Sequence, residues 1–223
     1  ALMARHPMKD FDNMHQKSGI ANELRKRGYE AMFMCTHDEQ FDNMGGYMQQ
    51  NGFQKIISQK DYKCEEILSG LGVPDHVLFR EVISRCNELH QPFFAAVLTA
   101  SNHPPVIIPK NIDFSSKQED IDLVSVQYAD WSIGQFLKNV RKEKWFDSTI
   151  FVFLADHGRF VTGWVHDMPV SYYHIPLIIF APGILKENKK FDQLGSQVDL
   201  LATLMGILNF DFVNTSLGMD ILK

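Results

Sequence analysis

Apolar residues gather in short uninterrupted runs along this chain, and between those runs they recur at helical spacing. Four runs read as strands: residues 30–35, 93–99, 150–155 and 176–181, each apolar and bounded by turn residues. Continuous apolarity, rather than alternation, is what a strand covered on both faces requires. Helical periodicity is clearest over residues 122–140, where Val126, Ala129, Ile133, Phe136, Leu137 and Val140 recur along one face. Residues 18–27 end in Lys26-Arg27-Gly28, a basic last turn followed by glycine, which suits a helix C-terminus. Residues 197–208 set Leu201, Leu204, Met205 and Leu208 along another stripe. Pro104-Pro105 and Pro109 mark an extended loop after the second strand, and residues 186–190 a polar turn. This alternation predicts an α/β fold with a mostly parallel sheet. No repeat or interdomain linker interrupts it, so the 223 residues are expected to form a single domain.

Composition narrows the function classes. A formal net charge of −5 leaves no broad basic field, and nucleic acid is not an expected partner. A bound divalent cation could still draw an anionic substrate locally. Cys35, Cys64 and Cys86 have no metal-like spacing, and three cysteines cannot all pair within one chain, so they read as buried or unpaired thiols. No apolar run reaches the roughly 18–20 residues that span a bilayer, and the N-terminus lacks the order of a signal peptide. The chain opens at Ala1 rather than Met, from which further sequence upstream is expected.

An open α/β sheet presents its working residues on loops beyond the carboxyl ends of its strands. Three of the predicted strands run into such loops. The third reaches Asp156-His157-Gly158, where a carboxylate and an imidazole can together bind a divalent ion while glycine relieves the turn; a helix cap with a packed histidine is the alternative. The second reaches His103, which could donate to a phosphoryl oxygen or shuttle a proton, or could bond only the backbone of its own loop. The first reaches Thr36-His-Asp-Glu-Gln-Phe-Asp-Asn43, in which Asp38 and Asn43 are candidate substrate contacts, although turns and N-caps call for the same residue types. Past the Asp156 turn, Trp164-Val-His-Asp-Met-Pro169 brings His166 and Asp167 within loop reach of Asp156. His174, adjoining the next apolar run, reads as structural.

Four blocks stand in a fixed order: Asn22 to Glu30 leading to Phe41-Asp-Asn-Met44; Pro92-Phe-Phe to Ser101-Asn-His103; Phe153-Leu-Ala-Asp-His-Gly158; and Ile175-Pro-Leu-Ile-Ile-Phe-Ala-Pro-Gly183. A fifth, Gln197-Val-Asp-Leu-Leu-Ala-Thr-Leu204, follows them. Together they resemble the alkaline phosphatase and sulfatase superfamily, particularly its lipoteichoic acid synthase-like members, which are phosphoglycerol or phosphoethanolamine transferases. The resemblance implies a three-layer α/β/α sandwich and one divalent metal ion, manganese, zinc or magnesium. It makes Asp156 and His157 metal ligands, His103 a catalytic contact to the transferred phosphoryl group, and His166 a second catalytic residue opposite it. Asp38 and Asn43 match the region lining the head-group pocket, without the aromatic and arginine found there in some relatives.

The same resemblance places a Thr or Ser nucleophile and a further acidic metal ligand N-terminal to every matched block. Residues 1–9 resemble the stretch just downstream of that nucleophile. The expectation is a chain that begins after it, does not turn over alone, and binds metal weakly or not at all; Thr36, Thr99 and Ser101 are better explained as turn chemistry. The implied function is the C-terminal bulk of a metal-dependent hydrolase or transferase acting on a phosphate ester, a glycerophosphate or lipid head group. Sulfate ester hydrolysis and a non-catalytic binding domain of the same fold are the alternatives. The implied parent is membrane-anchored, with this domain on the extracytoplasmic face.

Overall fold

The computed structural model describes residues 19–158 and 170–223. They divide into two compact units, Ala1–Phe136 with Gln193–Lys223 and Leu137–Asp192.

The first unit is built on a three-stranded parallel sheet in the order β2-β1-β3, with β1 Glu30–Cys35, β2 Lys55–Ile57 and β3 Phe93–Leu98. Ala31 to Cys35 of the central strand are all buried, as a continuous apolar run covered on both faces should be. The chain passes from β1 through α2 (Met44–Gln50) to β2 on one side. It then returns through α3 (Asp75–Asn87) to β3 on the other side. The strand order therefore reverses at β1, and the crevice outside the carboxyl ends of β1 and β3 is where such sheets bind ligands. Cys35 is paired with Leu98, so the two strands end level and their exit loops start side by side.

Helix α1 (Ile20–Arg25) closes through Gly28, whose φ of +82° is the left-handed turn that glycine adopts without strain. In α3, Val77, Leu78, Phe79, Val82 and Cys86 form the buried stripe. Helix α4 (Ile121–Val140) meets α3 through the buried Tyr128, whose hydroxyl lies 2.6 Å from His76 Nδ1 and whose ring stacks on Trp131. The 3-10 turn Gln197–Asp199 leads into α6 (Leu200–Ile207) through a capping box between Ser196 and Asp199. Cys35 and Cys86 are buried free thiols, each pushed up to about 12 by burial, and Cys64 is free and exposed.

In the second unit, β4 (Phe151–Leu154) and β5 (Leu177–Phe180) pair antiparallel, Phe151 opposite Phe180 and Leu154 opposite Leu177. Phe146, Phe151 and Phe180 form an aromatic cluster with ring centroids 5.6–6.1 Å apart. The short helix α5 (Val170–Tyr173) precedes β5.

Glu30, at the start of β1, ties the sheet together by accepting the His90 backbone N–H at 2.7 Å and the Lys55 ammonium at 3.0 Å. Those bonds, the His90 amide first, hold its carboxyl below the usual range. A depressed folded value means stability that is present above the ordinary carboxylate pKa and lost as pH falls through the folded one. Thermal melts should thus show Glu30→Gln less stable than wild type at neutral pH, with the gap closing in acid. A gap that is independent of pH would contradict this.

Candidate functional site

The loop after β1 turns at once. Asp38 Oδ1 accepts the Gln40 N–H at 2.9 Å, so this exposed carboxylate is engaged in the turn. Asp42 and Asn43 then adopt left-handed backbone, with φ of 53° and 58°. This double turn swings the chain into α2 and opens a cavity of about 650 Å³, lined among others by Glu39, Gln40, Asp42, Asn43, Gln49 and Lys60. Asn43 is on its wall; Asp38 is not among the lining residues. Glu39 and Lys60 stand outside the candidate residues that the sequence pattern marks. Glu39 accepts hydrogen bonds from the Ser58 hydroxyl and the Lys60 ammonium. Burial alone would raise its carboxyl, and the Lys60 and Ser58 bonds outweigh that and hold it below the ordinary range. Lys60 follows β2, twenty-one positions from Glu39, so only folding brings the pair together.

The loop after β3 carries His103, whose backbone N–H donates to the Ala100 carbonyl at 3.0 Å. Its Nδ1 lies 2.7 Å from the Pro104 carbonyl. A carbonyl only accepts, so Nδ1 carries the proton in that bond and Nε2 is left as the working nitrogen of the exposed ring. Thr36 is wholly buried and Ser101 Oγ accepts the Asp75 N–H at 2.9 Å, so both hydroxyls sit in the framework of the strand exits. Thr99 is exposed at the end of β3.

In the second unit, Asp156 and His157 follow β4 directly. Asp156 Oδ1 accepts the His157 N–H at 2.9 Å, leaving Oδ2 turned to the ring. His157 Nδ1 donates to the Gly158 carbonyl at 2.7 Å, its ring stacks on Tyr172 at 5.0 Å, and Gly158 N–H donates to the Tyr172 carbonyl. Nε2 therefore carries the available lone pair, and it stands 3.5 Å from Asp156 Oδ2. Two ligand atoms bound at about 2.1 Å to a tetrahedral ion lie roughly 3.4 Å apart, and metal-binding histidines commonly fix their tautomer through a backbone carbonyl, so this donor pair fits one ion. Among the described residues, no group of three or more His, Cys, Asp or Glu side chains is arranged to hold a metal. His166 and Asp167 lie outside the described residues. His174 is exposed between α5 and β5.

A family model described as Sulfatase matches residues 2–210. The chain belongs to the sulfatase family. It is 24% identical over 221 residues to lipoteichoic acid synthase 2 of Bacillus subtilis, a match covering 90% of this chain and 34% of that protein. Phosphoglycerol transferase I of Xanthomonas campestris pv. campestris is 23% identical over 215 residues, covering 91% and 30%. A solved protein of the alkaline phosphatase superfamily from Vibrio parahaemolyticus superposes with a TM-score of 0.86 at 28% identity, covering 99% of this chain and 54% of that one. The sulfatase-family chain thus spans about a third of the length of these curated relatives. Its fold is the α/β fold of the alkaline phosphatase superfamily.

Within this sulfatase-family chain, the level ends of β1 and β3 put the Asn43 cavity loop and the His103 turn at one edge of one sheet. Asp156 and His157 take the corresponding position at the end of β4. Each candidate that the structure describes lies on a loop past the carboxyl end of a strand.

Proposed function

We propose that this chain supplies the metal-ligand pair, the phosphoryl contact and the head-group pocket of a phosphoester transferase or hydrolase acting on a glycerophosphate or lipid head group. The observation that carries the reading is the Asp156–His157 pair, with one carboxylate oxygen and one imidazole nitrogen set at the spacing of two ligands of one ion. The names of the relatives, lipoteichoic acid synthase and phosphoglycerol transferase, support phosphoester transfer over other chemistry on this fold.

In this reading Asp156 Oδ2 and His157 Nε2 hold one divalent cation, manganese, zinc or magnesium. Such an ion supplies Lewis acidity, lowering the pKa of a bound hydroxyl and neutralising charge on a phosphoryl oxygen. The attacking Thr or Ser hydroxyl and a further acidic ligand come from outside the described residues. His103, protonated at Nε2, donates to a phosphoryl oxygen as negative charge grows there, and His166 is the second catalytic residue. The cavity beside Asn43 takes the head group, its amide and carboxylate side chains suited to hydroxyls. The parent protein is membrane-anchored and works on the extracytoplasmic face; no helix among the described residues is long and apolar enough to cross a membrane.

The test is a panel of p-nitrophenyl phosphate, a bis-p-nitrophenyl phosphodiester and p-nitrophenyl sulfate on the full-length protein, with manganese, zinc, magnesium or a chelator. Phosphate ester turnover that chelation abolishes is the expected result, and turnover of the sulfate alone would overturn the reading. The pocket has its own test. Asn43→Gly removes the amide while keeping the left-handed backbone that glycine tolerates. With a glycerophosphate diester it should raise KM about tenfold and leave kcat within twofold, as loss of one hydrogen bond made equally in the ground and transition states requires. An unchanged KM would place the head group elsewhere.

A further inference from the structure

Asp75 is the first residue of α3, 2% exposed, and its partners among the described residues are backbone amides and a hydroxyl rather than Lys or Arg. Its Oδ1 accepts the N–H groups of both Ala100 and Ser101 at 3.1 Å, and its own N–H donates to Ser101 Oγ at 2.9 Å. The carboxylate thus grips the turn at the end of β3, and the Ser101 hydroxyl returns the grip. Ala100 passes the constraint on, since its carbonyl accepts the His103 N–H. Ser125 Oγ of α4, itself buried, stands 2.5 Å from the Asn102 side-chain oxygen in the same turn. Burial pushes the Asp75 carboxyl above its ordinary value even against the pull of those two amides, so ionising it here is costly. The N-terminal end of α3 offsets part of that cost. An interior carboxylate spent on one turn is what a fixed geometry demands, because a charged acceptor holds two amides more tightly than a neutral one.

We infer that Asp75 is a positioning residue that fixes the Ala100–His103 turn and through it the His103 imidazole. The catalytic consequence rests on the reading of His103 given above, while the grip itself does not. The two are tested separately in the full-length protein. Hydrogen exchange of a peptide spanning residues 99–103 should accelerate about tenfold in Asp75→Ala relative to a peptide from β1, and return towards wild type in Asp75→Asn, whose amide oxygen can still accept. Ser101→Ala, which keeps the carboxylate bonds, should show a smaller acceleration and serves as the milder variant if Asp75→Ala fails to fold.

In metal-dependent phosphodiester cleavage, Asp75→Ala should lower kcat roughly tenfold to a hundredfold with KM within twofold. The loss should vanish in a His103→Ala background, because a residue acting through His103 has nothing left to position. Unchanged exchange would overturn the clamp. Faster exchange with losses that simply add would overturn positioning and leave a purely structural role. If His103→Ala alone is as active as wild type, the reading of His103 falls and the exchange result alone decides the clamp.

Discussion

Alanine at both Asp156 and His157 is expected to lower metal-dependent phosphodiester cleavage by the full-length protein by about 10³-fold or more, the scale of several kcal/mol of charge stabilisation. The fold should survive. The two side chains are 76% and 52% exposed, so little apolar area is lost with them. What the fold does lose is the hydrogen bond that the His157 N–H donates to Asp156 Oδ1, the one that His157 Nδ1 donates to the Gly158 carbonyl, and the stacking of His157 on Tyr172, together about 1–3 kcal/mol. Asp156→Asn separates the two roles, because the amide oxygen still accepts the His157 N–H while the anionic ligand is gone. Activity should fall nearly as far as in the double variant, with the melting temperature close to wild type. Full activity in the double variant would show that no ion is held here. A loss that tracks only the melting temperature would reduce Asp156 to a turn cap.

Gly72→Ala should be among the most damaging single substitutions in the molecule. Gly72 has a φ of +81°, and a Cβ built on it would stand 1.7 Å from the Thr36 carbonyl oxygen and 2.9 Å from the His37 nitrogen. Those atoms are backbone at the exit of the central strand, and the neighbouring Val73 N–H donates to the same Thr36 carbonyl at 3.3 Å. Neither side can yield without breaking the contact between residues 68–75 and the end of β1. Left-handed strain adds to the clash, for an expected loss on the order of 3 kcal/mol, read as a lower urea midpoint at unchanged slope. Gly70→Ala is the control: a Cβ there meets nothing within 4 Å, and the change should stay within about 0.5 kcal/mol. Equal midpoints for the two variants would mean that the loop does not press on β1 in solution.

The long or strongly apolar elements were legible in the sequence because their signals are local. Helix α4 occupies Ile121–Val140, against residues 122–140 from periodicity. The first apolar run is β1 residue for residue, and the others are strands that end one residue sooner, β4 and β5 also starting one residue later. Strand β2 escaped notice because Lys55–Ile57 is three residues long, too short to show a period. Helix α3 lies outside the elements predicted from the sequence, although it carries a local signal, a proline followed by an acidic first residue and a buried stripe. The buried thiols among the cysteines were read from their lack of spacing, and Cys35 and Cys86 are both buried.

At the candidate site, residue types and strand-end position mark Asn43, His103, Asp156 and His157 as candidates from the sequence alone. They could not separate Asn43 on a cavity wall from Asp38 tied into a turn, since both residues suit both roles. Nor could they find Lys60 or Asp75. A lysine twenty-one residues from Glu39 and an aspartate twenty-five or more from the amides it holds are joined only through strand order and register, which long-range pairing sets. Local apolar pattern was enough to mark where the strands and the major helix form, and the motif order to mark the family. Which nitrogen of each histidine is left to work is set by the carbonyl of the next residue, once the loop conformation is fixed. Which carboxylate grips a remote turn and which side chains meet across a cavity depend on partners distant in the chain, and folding alone supplies those.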